Sequence, residues 1–175
     1  MVRKHAPGLL SGLLLAAALM VPSVAEAQVA PTGQYNRIIS VNPIALVILG
    51  SISVEYEQAL NVNSSWGVSA SYHEWSDWTY SAVEGKARYY LQGRALDGFS
   101  VGALAGVSSG RDDESEASGT AISVGFMVEH QWLFGDDERL AVTVGGGGKR
   151  LAYIDDLPDA PRGLPTIRLS LGWAF

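Results

Sequence analysis

The stretch Pro165-Thr166-Ile167-Arg168-Leu169-Ser170-Leu171-Gly172-Trp173-Ala174-Phe175 closes the sequence and decides its fold. Successive side chains of a β-strand point to opposite faces, so this stretch predicts a strand with two unlike faces. One face is entirely apolar, whereas the other is small, polar or cationic. A strand with lipid on one side and a wet lumen on the other has this pattern. The apolar face holds Ile167, Leu169, Leu171, Trp173 and Phe175.

The same strand ends on an aromatic residue, Phe175. In this it resembles the C-terminal strand of bacterial outer-membrane β-barrel proteins, which the barrel-assembly machinery reads as a signal. The resemblance implies that the barrel-assembly machinery is a partner of this chain during insertion. The implied assembly signal consists of Ile167, Leu169, Leu171, Trp173 and Phe175.

The N-terminal residues 1–27 have the three-part layout of a secretory signal peptide. Arg3-Lys4-His5 forms a basic start, an apolar run extends from Leu9 to Met20, and small residues predict cleavage after Ala27. A transmembrane helix is the alternative interpretation, but the apolar run is shorter than the about 20 residues that a spanning helix needs. Lipid attachment at this signal is excluded, because the chain contains no cysteine to acylate.

The charge balance excludes some classes of partner. The 175 residues contain 12 Lys and Arg against 18 Asp and Glu, which gives a net charge of −6. Cleavage after Ala27 removes Arg3, Lys4 and Glu26 and leaves the mature chain one charge more negative. An acidic chain argues against a nucleic-acid partner, which calls for a basic surface. The lack of cysteine excludes disulfides and thiol chemistry, and the length predicts one domain.

The rest of the chain shows strand patterns separated by turn signals, after a short lead over 28–36 that we expect in the periplasm. No run has the 3.6-residue period of a helix. The strands number eight, and closed outer-membrane barrels of bacterial type require an even number. We therefore predict an all-β fold, an eight-stranded antiparallel up-and-down transmembrane β-barrel over 37–175, monomeric in the bacterial outer membrane among its lipids and lipopolysaccharide. The predicted strands are 37–49, 51–60, 65–75, 80–92, 98–108, 120–134, 139–153 and 165–175.

The connections between these strands are predicted to alternate in length, as in outer-membrane barrels. Short periplasmic turns are expected at 61–64, 93–97 and 135–138, and longer outer loops at 75–79, 109–119 and 154–164. The first outer connection, near Gly50-Ser51, is expected to be very tight. Pro43 has no backbone N–H to donate and is expected near a strand end.

The polar faces of the predicted strands consist mainly of glycine and serine with a few charges. Small side chains suit the interior of an eight-stranded barrel, which is only just wide enough for side chains. Charges in that space are tolerated when they are paired and hydrogen-bonded. We therefore expect an ion-pair network that fills the lumen and makes a plugged barrel rather than a channel. Its predicted members are Glu55, Glu57, Glu84 and Glu129 with Lys86, Arg88, Lys149 and Arg168.

The apolar faces carry aromatic residues near strand ends, as expected of an interfacial girdle. A soluble lipocalin-like binding barrel is the alternative, and it would turn its apolar faces inward. Most of the aromatic residues lie at ends assigned to the periplasmic side: Tyr56, Trp66, Phe99, Trp132, Phe134, Trp173 and Phe175.

Two other motifs suggest ligands but have simpler explanations. Gly145-Gly146-Gly147-Gly148 is not followed by the helix that a phosphate-binding loop needs, so we interpret it as a site of bending or close packing. The acidic loop residues 111–116 lack the ligand order of an EF-hand, and we interpret them, like Asp155, Asp156 and Asp159, as solvated. A weaker hypothesis places divalent cations between these acids and lipopolysaccharide phosphates. No metal site and no cofactor is predicted.

One group at the predicted outer rim of the third strand contains the residue types of acyl transfer: His73, Glu74, Ser76 and Asp77. Lipid A-deacylating barrel enzymes carry a His-x-Ser motif, which this chain lacks. An interfacial histidine is the simpler interpretation. We therefore predict a non-enzymatic barrel with no catalytic residues, and a lipid A-modifying barrel enzyme stays open as the alternative.

Three motifs carry a wider resemblance: the Asn42-Pro43 start, Ser53-Val54-Glu55-Tyr56-Glu57 in the second strand and Lys86-Ala87-Arg88-Tyr89-Tyr90 in the fourth. With them, residues 42–175 resemble a family of small bacterial outer-membrane barrels of unknown function, similar in kind to the compact OmpA- and OmpX-like barrels. The resemblance implies the fold but no substrate. The function we expect is structural or surface-interacting.

Overall fold

The structure is a computed structural model that describes residues 35–43, 46–47, 50–75, 78–112, 118–154 and 162–175. Eight antiparallel strands form one closed barrel, in which each strand pairs with the next and β1 pairs with β8. The predicted all-β barrel of eight antiparallel strands is therefore confirmed. The strands are β1 (Arg37–Val41), β2 (Ile52–Ala59), β3 (Ser64–Trp75), β4 (Trp78–Tyr90), β5 (Gly98–Asp112), β6 (Ser118–Phe134), β7 (Leu140–Tyr153) and β8 (Gly163–Ala174).

The predicted first strand and its tight connection at Gly50-Ser51 are wrong. β1 ends at Val41 and β2 begins only at Ile52. Just after β1 the backbone N–H of Leu46 donates to the carbonyl of Asn42 at 3.3 Å, which is a helical turn. Proline suits the first turn of a helix and interrupts a strand ladder, so Pro43 ends β1 early and lies, as predicted, near a strand end.

The two ends of the barrel differ in their connections. Arg37 and Phe175 meet at one end, where the Arg37 N–H donates to the Phe175 carbonyl at 3.2 Å, and we call this the terminal end. The opposite end, where β1, β3, β5 and β7 end, we call the loop end. The predicted alternation is wrong for β3 and β4, because Trp75 already pairs with Trp78 across only two residues.

Side chains alternate strictly between the interior and the outer surface. In β2, for example, Glu55 and Glu57 are buried while Val54 is exposed. In β6, Ser123 and Glu129 are buried while Phe126 is exposed. The outer surface is consequently a continuous band of exposed apolar side chains, including Ile39, Val54, Val68, Val101, Val107, Ile122, Val128, Val144 and Leu171.

The predicted aromatic residues lie on the outside at the terminal end. Tyr56 and Trp66 meet edge to face with ring centroids 5.8 Å apart. Trp132 and Phe134 are exposed on β6, and Trp173 is exposed on β8, on the other side of β7. These residues form a belt around the terminal end of the barrel.

A cap closes the lumen at the terminal end. The β4–β5 connection turns inward at Leu96, which has a left-handed φ of 71° and is 1% exposed. The Ala95 N–H donates to the Val62 carbonyl at 2.8 Å, so this connection reaches across to the β2–β3 turn. Inside, Leu96 joins a small apolar cluster with Ile38, Ala59, Tyr90, Ala95, Ala141 and Ala174.

Outside the cap, Arg94 pairs with Glu138 at 2.5 Å and with Asp97 at 3.2 Å. The Glu138 hydrogen bond raises the pKa of the Arg94 guanidinium, which is already charged at ordinary pH. The Arg94–Glu138 pair joins the β4–β5 connection to the β6–β7 turn. The cap is therefore attached both to this turn and, through Ala95, to the β2–β3 turn.

Candidate functional site in the barrel interior

All eight residues of the predicted network lie in the barrel interior, above the cap. Their side chains come from β2, β4, β6, β7 and β8, which surround the lumen. The sequence predicts a single network, whereas the ion pairs in the structure form two groups. Each group is electrically balanced.

Arg88 is the centre of the larger group, and its side chain is 1% exposed. Its Nη2 donates to Glu55 Oε1 at 2.6 Å and its Nε donates to Glu129 Oε2 at 2.6 Å. Its Nη1 lies 3.5 Å from Glu57 Oε2. One guanidinium therefore joins carboxylates from β2 and β6, on opposite sides of β4 in the wall. Charge-assisted hydrogen bonds of this kind are stronger than hydrogen bonds between neutral groups.

Two further cations balance the three carboxylates around Arg88. Arg168 Nη1 lies 3.0 Å from Glu55 Oε1 and 3.1 Å from Glu129 Oε1. Lys86 Nζ lies 2.5 Å from Glu55 Oε2. Three acids and three bases thus fill this level of the lumen, so the desolvation of each charge is offset by close partners.

Glu57 is held from the terminal side by two hydroxyl groups that the sequence analysis missed. Ser65 Oγ donates to Glu57 Oε1 at 2.5 Å, and Tyr90 Oη donates to the same oxygen at 2.8 Å. Tyr90 also belongs to the apolar cluster of the cap. The ion network and the cap are therefore one continuous plug.

The smaller group lies nearer the loop end. Lys149 Nζ donates to Glu84 Oε1 at 2.8 Å and to the Tyr80 hydroxyl at 3.0 Å. Ser123 Oγ is 3.4 Å from the same Glu84 oxygen. The Glu84 and Lys149 side chains are about a tenth exposed, so they border open space.

Glycines stand opposite the long charged residues on the neighbouring strands. Gly145 pairs with Glu129, Gly102 with Arg88, Gly106 with Glu84 and Gly125 with Lys149. A Cβ on Gly145 would lie 2.5 Å from Glu129 Cγ, and one on Gly106 would lie 2.8 Å from Glu84 Cγ. The glycine-rich stretch of β7 is thus a site of close packing, which leaves space for side chains that cross the lumen.

A cavity of about 670 Å³ opens above the network at the loop end, and we call it the cup. Its side includes the apolar Leu104 and Met127, and its floor holds the charged residues Glu55, Glu84, Lys86, Glu129, Lys149 and Arg168. The volume lies within the range of small-molecule sites, about 300–1,000 Å³. As far as the described residues show, the barrel interior is therefore closed at the terminal end and hollow at the loop end.

The residues suggested for acyl transfer do not come together. His73 points inward and lines the cup, whereas the Glu74 side chain is exposed and accepts a hydrogen bond from the Tyr72 hydroxyl on the outer face. Ser76 and Asp77 lie outside the described residues. His73 Nε2 instead lies 3.3 Å from Ser51 Oγ, a serine that is 0% exposed and does not border the cup.

Most of the remaining predicted features lie outside the described residues. Within the part of the chain that the structure describes, no cluster of three or more His, Asp or Glu residues is placed to hold a metal ion. Most of the acidic loop 111–116, and Asp155, Asp156 and Asp159, lie outside the described residues. Residues 1–34, with the predicted signal peptide and most of the lead, also lie outside them.

Comparison with known proteins finds no matching family model, no matching curated protein and no matching solved structure. In the described ranges, no helix is long and apolar enough to cross a membrane.

Proposed function

We propose that this chain is a non-enzymatic outer-membrane β-barrel protein with a plugged lumen and a structural or surface-interacting role. After removal of its signal peptide it is inserted as a monomer by the barrel-assembly machinery, with the terminal end toward the periplasm. The single observation that carries the proposal is the direction of the two faces. Exposed apolar side chains cover the outside, and paired ions occupy the inside.

A soluble barrel would have the opposite arrangement, with an apolar interior and charged outer residues. Exposing this many Val, Ile, Leu and Phe side chains to water is unfavourable, because apolar burial contributes about 25 cal/mol per Å². Contact with acyl chains removes that cost. The belt of Trp132, Phe134 and Trp173 at the terminal end fits a membrane–water interface.

Two arginine substitutions on β6 test the lipid contact. Val128→Arg places a cation near the middle of the outward face, and Ile122→Arg places one closer to the loop end. In a bilayer we expect Val128→Arg to destabilise the barrel by about 2–4 kcal/mol and Ile122→Arg by about 0–1 kcal/mol, because the cost depends on depth. Reversible urea unfolding in phospholipid vesicles measures both values.

A soluble barrel would give a different result, because both positions are already exposed to water in it. Equal, small effects of the two substitutions would therefore contradict the proposal. Membrane fractionation of the expressed chain, with gel mobility before and after boiling, is the companion experiment. We expect the chain in the outer-membrane fraction and a changed mobility on boiling.

An acyl-transferring enzyme remains a second candidate because Ser51 and His73 form a hydrogen-bonded pair. Such a pair is the core of a nucleophile and its base. Against it, Ser51 is completely buried, so its hydroxyl does not face the cup. A changed lipid A mass spectrum on overexpression, lost in His73→Ala, would favour the enzyme.

A further inference from the structure

Among the residues that the structure describes, β1 is too short to cover the whole edge of β8. β1 pairs with β8 from Ile38↔Ala174 to Val41↔Leu171, and the ladder ends there. β8, however, continues beside β7 to Gly163, where Arg150 is its partner. Toward the loop end, the edge of β8 from Gly163 to Ser170 therefore faces the position that a longer β1 would fill. We call this region the seam.

The lining of the cup shows that it reaches this seam. In a closed wall only every second residue of a strand borders the interior, because side chains alternate. On β8, by contrast, the consecutive residues Leu164–Ser170 all border the cup, and so do Ser40, Val41 and Asn42 at the end of β1. Ile167, an outward residue at 89% exposure, is among them. In the described part of the chain, the cup therefore opens sideways into the seam as well as at the loop end.

The seam has the width of about one strand, since neighbouring strands lie about 4.8 Å apart. This space suits one hydrocarbon chain and is too narrow for a bulky headgroup. Its borders are apolar: Val41 and Ile52 are exposed on one side, and Ile167 and Leu171 on the other. Of the β1–β2 connection, Leu46 and Val47 have exposed side chains and do not line the cup.

The floor of the cup selects the headgroup. The charged residues that border it are Glu55, Glu84 and Glu129 against Lys86, Lys149 and Arg168, which balance. A ligand with a net charge would bring an uncompensated charge into this space. A headgroup that carries one anion and one cation can instead contact both members of the Glu84–Lys149 pair, whose side chains are about a tenth exposed and border the cup.

We propose that the cup and the seam bind a single-chain zwitterionic lipid of the surrounding bilayer, with its hydrocarbon chain in the seam and its headgroup on the floor of the cup. The inference rests on the proposed membrane location. The inference assigns a ligand to the cup, whereas the ion network and the cap close the lumen at the terminal end.

The experiment uses protein extracted from membranes in a bulky maltoside detergent and examined by native mass spectrometry. Palmitoyl lysophosphatidylcholine, which is zwitterionic, and palmitoyl lysophosphatidylglycerol, which is anionic, are titrated separately. We expect a one-to-one complex with the zwitterionic lipid and at least tenfold weaker binding of the anionic lipid. Thr166→Trp fills the cup beside the seam and should weaken binding at least tenfold. Val101→Trp, on the outer face of β5, should leave it unchanged.

A second measurement does not depend on the folding of Thr166→Trp. The chain has no cysteine, so Ile167→Cys and Val101→Cys each take one fluorophore. Lysophosphatidylcholine brominated on its chain should quench the label at position 167 in a saturable way and the label at position 101 only weakly.

The outcomes separate the inference from the proposed function. If the protein is located in the membrane but forms no complex with the lipid, the inference is overturned and the proposed function stands. The same holds if the brominated lipid quenches the labels at positions 167 and 101 equally. Equal or tighter binding of the anionic lipid would overturn the assignment of the headgroup. A protein found in the soluble fraction would overturn both.

Discussion

At the scale of single residues, Arg88 is the side chain on which the interior charges depend. It contacts Glu55, Glu57 and Glu129, and it is almost completely buried. Arg88→Met would leave these carboxylates with fewer partners in a dry space. We expect a loss of about 3–5 kcal/mol in the free energy of unfolding, as for other buried pairs that lose one member. Urea unfolding in vesicles measures it.

Arg94→Met is the matched control, because Arg94 is also paired with carboxylates but is about a third exposed. Exposed pairs contribute about 0–1 kcal/mol, so this variant should unfold almost like the original chain. Adding Glu129→Gln to Arg88→Met removes one surplus anion and should recover part of the loss. A double variant less stable than Arg88→Met would contradict the role of charge balance.

Gly145 leads to a second residue-scale prediction. A Cβ at this position would lie 2.5 Å from Glu129 Cγ and 2.9 Å from its Cα, so Gly145→Ala forces the carboxylate or the strand to move. We expect a loss of about 1–3 kcal/mol, the usual cost of overpacking. Gly163→Ala is the control, since a Cβ there meets nothing within 4 Å. Equal stability of the two variants in the same unfolding assay would refute the close-packing role.

At the scale of elements, the β4–β5 connection forms the cap that closes the lumen at the terminal end. Leu96→Asn introduces a residue that tolerates the left-handed φ of this position and replaces the apolar side chain with a polar one. We expect water to reach the terminal half of the lumen. A cysteine introduced at Ala141, inside the cap, should then react with a water-soluble maleimide at least tenfold faster.

Leu91→Asn in the same connection is the control, because Leu91 is exposed. It should leave the labelling rate at position 141 unchanged. If the maleimide reacts rapidly with a cysteine at position 141 while Leu96 is retained, the cap does not close the lumen.

The eight interior charges could be predicted from the sequence, and their partners could not. Alternation in β4 assigns Glu84, Lys86 and Arg88 to one face, because a strand has a period of two. Which carboxylate meets Arg88 depends on the register of β2 and β6 across the lumen. That register is a property of the closed barrel, so Glu84 and Lys149 separate from the other six only in three dimensions.

The bounds of β1 show a different limit of sequence analysis. The apolar run after Pro43 has strand-like composition, and a short apolar run does not distinguish a strand from a helical segment by periodicity. The proline was the informative residue there. The cap was missed for a related reason: Ala95 and Leu96 lie between turn residues, where apolar side chains carry no periodic signal.

At the scale of the whole molecule, the plug predicts how the protein behaves in a bilayer. The cap and the network around Arg88 close the lumen over several levels. We expect no large, stable, salt-dependent conductance in single-channel recordings of the purified barrel in planar bilayers. Recording the Leu96→Asn variant beside it shows whether the ion network closes the lumen without the cap. A large steady conductance of the unsubstituted protein would contradict the plug.

The shortest ladder of the barrel also joins its most distant partners in sequence, Ile38 with Ala174 and Val41 with Leu171. Closing so large a loop has the highest entropic cost of any strand pairing in the barrel, and the few hydrogen bonds of this short ladder offset little of that cost. The other seven ladders form between neighbours along the chain and need not wait for it. During folding, an open curved sheet should therefore precede the cylinder. On unfolding, the junction of first and last strand should separate before any hairpin does.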